Sequence, residues 1–194
     1  ILLVASLAAC GSDSGGNGTA AGSGAGKDSI TMGFAQVGAE SGWRTANTTS
    51  VQESAKAAGI ELKFSDAQQK QENQIKAIRS YIQQKVDVIA FSPVVETGWD
   101  AVLLEAKRAN IPVILTDRAV DSPDKTLYKT FLGSDFVEEG KKAGQWLVEN
   151  SKDESAVNVV ELQGTTGAAP AIDRKKGFEE VIKTDPKITI VASQ

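Results

Sequence analysis

The sequence predicts an α/β fold built on mostly parallel sheet. Three observations carry this. From residue 30 onward, short apolar runs alternate with longer amphipathic ones. The run at 86–91, Val-Asp-Val-Ile-Ala-Phe, is nearly continuous, as strands covered on both faces are. Ile75, Ile78 and Ile82 recur at helical spacing between two such runs. Strands and helices alternating in this way imply right-handed βαβ units.

The elements follow in order. Residues 30–35 read as a strand. A helix is expected over 45–58, stopped by Gly59, because glycine tolerates the left-handed conformation past a helix C-terminus. A strand at 60–65 precedes a strong helix at 72–84, and the apolar strand at 86–91 follows. A helix at 99–109 leads to a strand at 112–115, which ends at Thr116-Asp117-Arg118. A weaker strand is expected at 128–132. The pattern then restarts with a helix at 136–150, a strand at 157–162, a helix at 172–183 and a strand at 188–191. Gly133-Ser134-Asp135 reads as the crossing between an N-terminal lobe over 28–133 and a partial C-terminal lobe over 134–194. Two parallel strands leave an open edge and little core, so the second lobe is expected to be incomplete and the chain to be a fragment of a longer protein.

The first ten residues, Ile-Leu-Leu-Val-Ala-Ser-Leu-Ala-Ala-Cys, are an apolar run closed by small residues. That is the back half of a secretory signal, too short to span a bilayer. A cysteine directly after Leu7-Ala8-Ala9 resembles a bacterial lipobox, which implies lipidation of Cys10. The folded part is then expected outside the cytoplasm, anchored to the outer face of the cell membrane, or periplasmic. Residues 11–27, rich in Gly, Ser and Ala, read as a flexible linker. One acyl chain holds weakly, so stable anchoring through Cys10 needs more than one.

Composition narrows the function classes. The 194 residues are 41% hydrophobic and 24% charged, ordinary globular usage. Net charge is −4 and no basic face stands out, which argues against nucleic acid as a partner. Cys10 is the sole cysteine and there is no histidine, so neither an intrachain disulfide nor a Cys/His metal cluster can form. No metal and no cofactor is expected. The Gly164–Gly167 loop lacks a G-x-G-x-x-G fingerprint and a P-loop lysine, which excludes the usual nucleotide cradles.

Ligands of open α/β sheets bind beyond the carboxyl ends of the strands. Four post-strand segments qualify: 36–44, 92–99, Asp117-Arg118 and 163–174. Their side chains suit a polyhydroxylated ligand. Carboxylates accept from sugar hydroxyls, arginine donates through a planar fork, and an aromatic ring packs on the C–H face. Glu40, Trp43, Arg44, Asp117, Arg118 and Arg174 supply that kit. Each has a plain alternative. Trp43 could be a core aromatic, Arg44 a helix-start charge, and Asp117-Arg118 a surface turn. Arg174 lies in the basic run Arg174-Lys175-Lys176 but is expected in the first turn of its helix. Trp99 reads as a packing residue. Buried charges need partners, so the carboxylates and arginines are expected to brace one another. Glu40 and Asp117 could hydrolyse a glycoside in principle. Two adjacent arginines would hold both as carboxylates and remove the general acid, which favours binding over catalysis.

These motifs, taken together, resemble the periplasmic sugar-binding proteins of ABC transporters, in the ribose-binding-like family. The resemblance rests on Gly38-Ala-Glu-Ser-Gly-Trp-Arg44, Asp66-Ala-Gln-Gln-Lys-Gln-Glu-Asn-Gln-Ile-Lys-Ala77, Pro93-Val-Val-Glu-Thr-Gly-Trp99, Val159-Val-Glu-Leu-Gln-Gly164 and Ala171-Ile-Asp-Arg-Lys-Lys-Gly-Phe178. It implies a two-lobe type I binding-protein fold that closes on a monosaccharide, galactofuranose or a similar aldose. Carried over by position, it implies ligand contacts from Glu40, Ser41, Trp43, Arg44, Asp117, Arg118 and Arg174, with Asp173 as a further candidate. It also implies a monomeric receptor that delivers its sugar to the transmembrane subunits of an ABC permease. Other readings share parts of the pattern: a receptor feeding a signalling system, an exported carbohydrate-active enzyme, or the regulatory domain of a LacI-type repressor. The last would need an N-terminal helix-turn-helix, where this chain has a lipobox and linker.

Overall fold

The computed structural model describes residues 29–194. The expectations for the signal remnant, for Cys10 and for the 11–27 linker lie outside the described residues. Seven strands and five α-helices alternate: β1 (Thr31–Gln36), α1 (Gly42–Ala57), β2 (Glu61–Asp66), α2 (Gln71–Gln83), β3 (Val88–Phe91), α3 (Asp100–Arg108), β4 (Val113–Thr116), β5 (Thr130–Leu132), α4 (Phe136–Asn150), β6 (Val157–Glu161), α5 (Ala169–Ile182) and β7 (Ile188–Ser193). A short 3₁₀ turn at Lys125–Leu127 precedes β5.

The first five strands form one all-parallel sheet in the order β2-β1-β3-β4-β5. The order in which successive strands are added reverses between β1 and β3, which opens a crevice at their carboxyl ends. Ile89, Phe91, Val113 and Leu115 from the middle strands are at most 1% exposed and pack with Ile78 of α2, Leu103 of α3 and Trp99 just before α3. Ile75 and Ile82 lie at the edge of this core, so α2 buries the expected face. Trp99 packs on Phe91, with ring centroids 4.8 Å apart, as a packing residue should. Gly59 takes φ of +67° just past α1, where its lack of a Cβ permits the helix stop.

β6 and β7 form a separate two-stranded parallel sheet, with α4 and α5 packed closely together. Val160, Leu162 and Val191 of this region remain exposed. Two helices begin three residues earlier than the sequence pattern indicates. In α1, Ser41 caps the helix by accepting the backbone N–H of Arg44, so the helix starts at Gly42. In α5, Pro170 sits in the first turn, where its missing N–H and fixed φ cost nothing, and the helix starts at Ala169.

Candidate functional site

The loop between β1 and α1 brings Glu40 and Arg44 to the crevice. Arg44 lies in the first turn of α1, and its side chain is only 3% exposed. Its Nε donates to Glu40 Oε1 at 3.2 Å, and its Nη2 donates to Asp117 Oδ2 at 2.7 Å. Its Nη1 donates to Gln36 Oε1 at 3.3 Å and to Ser92 Oγ at 3.5 Å. About four of the five guanidinium hydrogens are thus held by the protein.

Asp117 and Arg118 follow β4 in a tight turn. Arg118 N–H bonds back to Thr116 O at 2.6 Å across Asp117, whose φ is +63°. A γ-turn with positive φ is rare and strained, and such strain concentrates at functional sites. The turn is tied down by Asp117 N–H donating to Leu132 O at 2.7 Å. The Arg118 Nη1 donates to Val94 O at 3.2 Å, and its Nη2 lies 3.7 Å from Glu40. Arg118 Nε is 3.8 Å from Asp117 Oδ2 and is buried without a hydrogen-bond partner. Burial, and then the Arg44 charge, hold the Arg118 guanidinium below the usual arginine range, partly offset by Asp117 and Glu40. Arg118 stays charged all the same, because guanidinium does not deprotonate in proteins.

Across the crevice stands the second group of elements. A hollow of about 340 Å³ is lined on one side by Trp43, Arg44, Asp117 and Arg118, and on the other by Ser134, Phe136, Glu139, Pro170 and Arg174. Trp43 is 58% exposed at the rim, and the Arg44 guanidinium lies 4.8 Å from its ring. Arg174 pairs with Glu139 at 2.8 Å and lies 4.6 Å from the Phe136 ring centroid. It occupies the second turn of α5, not the first as expected, because Pro170 draws the helix start back to Ala169.

The remaining candidates are placed differently. Glu40 braces both arginines but does not line the hollow. The Ser41 hydroxyl is engaged as the cap of α1. Asp173 does not line the hollow either. Its charge acts instead on Glu96, whose carboxyl is pushed up by burial first, then by Asp121 and Asp173. Glu96 also joins the two sheets' loops through its N–H, which donates to Gly167 O at 2.9 Å. Among the described residues no group of three His, Cys, Asp or Glu side chains could hold a metal ion.

Residues 32–194 match the family described as the periplasmic binding protein domain. This chain belongs to that family. Its fold is the type I binding-protein fold, parallel sheets flanked by helices. The domain is 56% identical to the galactofuranose-binding protein YtfQ of Escherichia coli (strain K12), over 85% of this chain and 52% of that protein. It is 65% identical, with a TM-score of 0.82, to a Mycobacterium smegmatis protein solved in complex with β-D-fucofuranose, over 85% of this chain and 55% of that one. It is 56% identical, with a TM-score of 0.79, to the periplasmic binding component of the arabinose ABC transporter from Shewanella sp. ANA-3, bound to α- and β-L-arabinofuranose, over 85% of this chain and 54% of that one. The chain spans about half the length of the curated relatives it matches.

Sequence reasoning did not single out several residues of this candidate site. Gln36 and Ser92 reach Arg44 from the ends of β1 and β3, and Phe136 and Glu139 reach Arg174 from α4. The signal for the α4 pair was the crossing at 133–135, which places the start of α4 next to the crevice. Neutral polar residues such as Gln36 give no comparable signal.

Proposed function

We propose that this chain is the sugar-binding part of an extracytoplasmic lipoprotein that serves an ABC importer, and that its ligand is a monosaccharide in furanose form. The observation that carries the reading is the cluster of Glu40, Arg44, Asp117 and Arg118 beside the hollow, with Arg118 Nε buried and unpartnered. Arg118 lines the hollow with its side chain 11% exposed, so its guanidinium can donate there to a ligand hydroxyl oxygen. Asp117 accepts from sugar hydroxyls, Arg118 and Arg174 donate, and the Trp43 ring packs on the C–H face, while Glu40 braces Arg44 and Arg118 from outside the hollow. A hollow of about 340 Å³ falls within the size range of small-molecule sites. The ligands named for the relatives, galactofuranose, β-D-fucofuranose and L-arabinofuranose, support the furanose class.

The mechanism is capture. Sugar meets the Asp117-Arg118 side first, and the Arg174 side then closes over it. A ligand drives that closure only through contacts that are better in the closed state. The closed form is what the permease subunits receive. The Cys10 motif supports membrane anchoring, to be checked by labelled acyl-chain incorporation that a Cys10→Ala variant loses. The ligand is tested by a thermal-shift screen of the full-length protein against a monosaccharide panel, since binding stabilises the folded state by mass action. D-galactose, D-fucose or L-arabinose, each with a furanose form at equilibrium, is expected to raise the melting temperature. A folded protein whose melting temperature no sugar moves contradicts the reading.

A further inference from the structure

Gln36 is 0% exposed, although it stands at the end of β1 beside the crevice. A buried amide is retained only where its hydrogen bonds are met, and here all of them are. Its Oε1 accepts from Val37 N–H at 3.0 Å and from Arg44 Nη1 at 3.3 Å. Its Nε2 faces Asn47 Oδ1 at 2.9 Å and Thr48 Oγ1 at 3.0 Å on α1. Neither backbone N–H nor guanidinium can accept, so the amide has one orientation, oxygen toward Arg44. Gln74, also 0% exposed, contrasts with it. Gln74 bonds only backbone groups of Ala35, Ser92 and Val94 and touches neither arginine.

We propose that Gln36 is a positioning residue, a neutral acceptor that holds the Arg44 guanidinium against Asp117 without drawing it away. The neutrality matters. Two carboxylates, Glu40 and Asp117, already balance Arg44 and Arg118. A third carboxylate at position 36 would compete for Arg44 at closer to full strength in this buried setting. An apolar residue there would release Nη1 and leave the Val37 N–H unpaired. The consequence for ligand affinity rests on the sugar reading above; the consequence for Arg44 does not.

Two variants of the full-length protein test this. Gln36→Glu keeps the shape and the acceptor toward Arg44 but adds charge and gives up the Nε2 donor to Asn47 and Thr48, and Gln36→Leu removes both acceptor and donor. The first readout is the Nε–H resonance of Arg44 in the ligand-free, ¹⁵N-labelled protein, assigned with an Arg44→Lys variant. The second is the calorimetric affinity for L-arabinose, D-fucose or D-galactose. Both variants are expected to shift the Arg44 resonance and to weaken binding about tenfold, the size of one hydrogen bond. A merely structural role would lower the melting temperature and leave both readouts at their wild-type values in the folded protein. Either folded variant with an unchanged Arg44 resonance overturns the proposal, and so does wild-type affinity in either. Should Gln36→Leu not fold, the isosteric Gln36→Glu carries the decision. A wild-type protein that binds none of the sugars sinks the sugar reading, and the resonance then decides the role of Gln36.

Discussion

Arg44 and Asp117, 73 residues apart in the chain, meet Nη2 to Oδ2 at 2.7 Å. The pair ties the loop after β1 to the turn after β4 across the end of β3. It also fixes the direction of Arg118, the next residue, whose Nε is buried beside the same carboxylate. The fold therefore assembles this cluster before any ligand arrives, which is the preorganisation that limits the cost of binding.

Replacing Asp117 with alanine would leave Arg44 buried with Glu40 as its only carboxylate partner. Breaking a fully buried ion pair costs about 3–5 kcal/mol. Asp117 is 20% exposed and Arg44 keeps three other partners, so a loss of about 2 kcal/mol is expected, with the fold retained. Sugar affinity should fall about 100-fold or more, since each hydrogen bond to a charged group contributes about 1.5–3 kcal/mol. Urea unfolding and calorimetry of the full-length variant check the two effects separately.

Gly140 on α4 has no room for a side chain. A Cβ there would stand 2.1 Å from Arg174 O and 2.8 Å from Phe178 N on α5. Gly140→Ala must push the helices apart, at about 1–3 kcal/mol of stability, and it must displace Arg174 from the hollow. Gly144→Ala meets the Val181 side chain at 2.9 Å and should cost less. Denaturant midpoints of the two variants give the order.

Trp43 is 58% exposed and lines the hollow, Trp99 is 1% exposed, and the exposed Trp146 on α4 does not line it, so Trp43 is the tryptophan placed to report on the crevice. Packing against a sugar face removes Trp43 from water. Its emission should shift to the blue on addition of a bound monosaccharide, and Trp43→Phe should abolish the shift. A shift that survives in Trp43→Phe would place the reporting tryptophan elsewhere.

The surroundings of Glu96 set the sign of an expected pH dependence. Burial, Asp121 and Asp173 raise its carboxyl above the ordinary value of about 4.3. The folded state then holds this proton more tightly than the unfolded chain does. The stabilisation from that proton is complete below about pH 4.3 and is lost as the pH rises through the folded value. Glu96→Gln, which cannot ionise, should melt above wild type at pH 7, and the difference should vanish below about pH 4. Melting temperatures across that range decide it.

The first sheet was legible because burial on both faces leaves apolar strands that sequence displays directly, as at Val88–Phe91. Helix starts were less so. Ser41-Gly42 and Ala168–Ala171 carry no apolar periodicity, and a cap and a proline set those boundaries. Arg44, Asp117, Arg118 and Arg174 could be read from their post-strand positions, whereas Glu139, on α4, could not. That these carboxylates and arginines brace one another was also expected and is seen, but which acid meets which arginine was not, since Arg44–Asp117 depends on which strands become neighbours. Gln36 and Ser92 were hidden for another reason: a buried neutral polar residue looks in sequence like any surface one.

The central claim is that a monosaccharide binds against Asp117 and Arg118. A crystal structure of the full-length protein with L-arabinose tests it most directly. The account predicts a furanose ring beside Trp43, with hydroxyl oxygens at about 3 Å from the Arg118 guanidinium and from the Asp117 carboxylate. Sugar bound elsewhere, touching neither Asp117 nor Arg118, would contradict it.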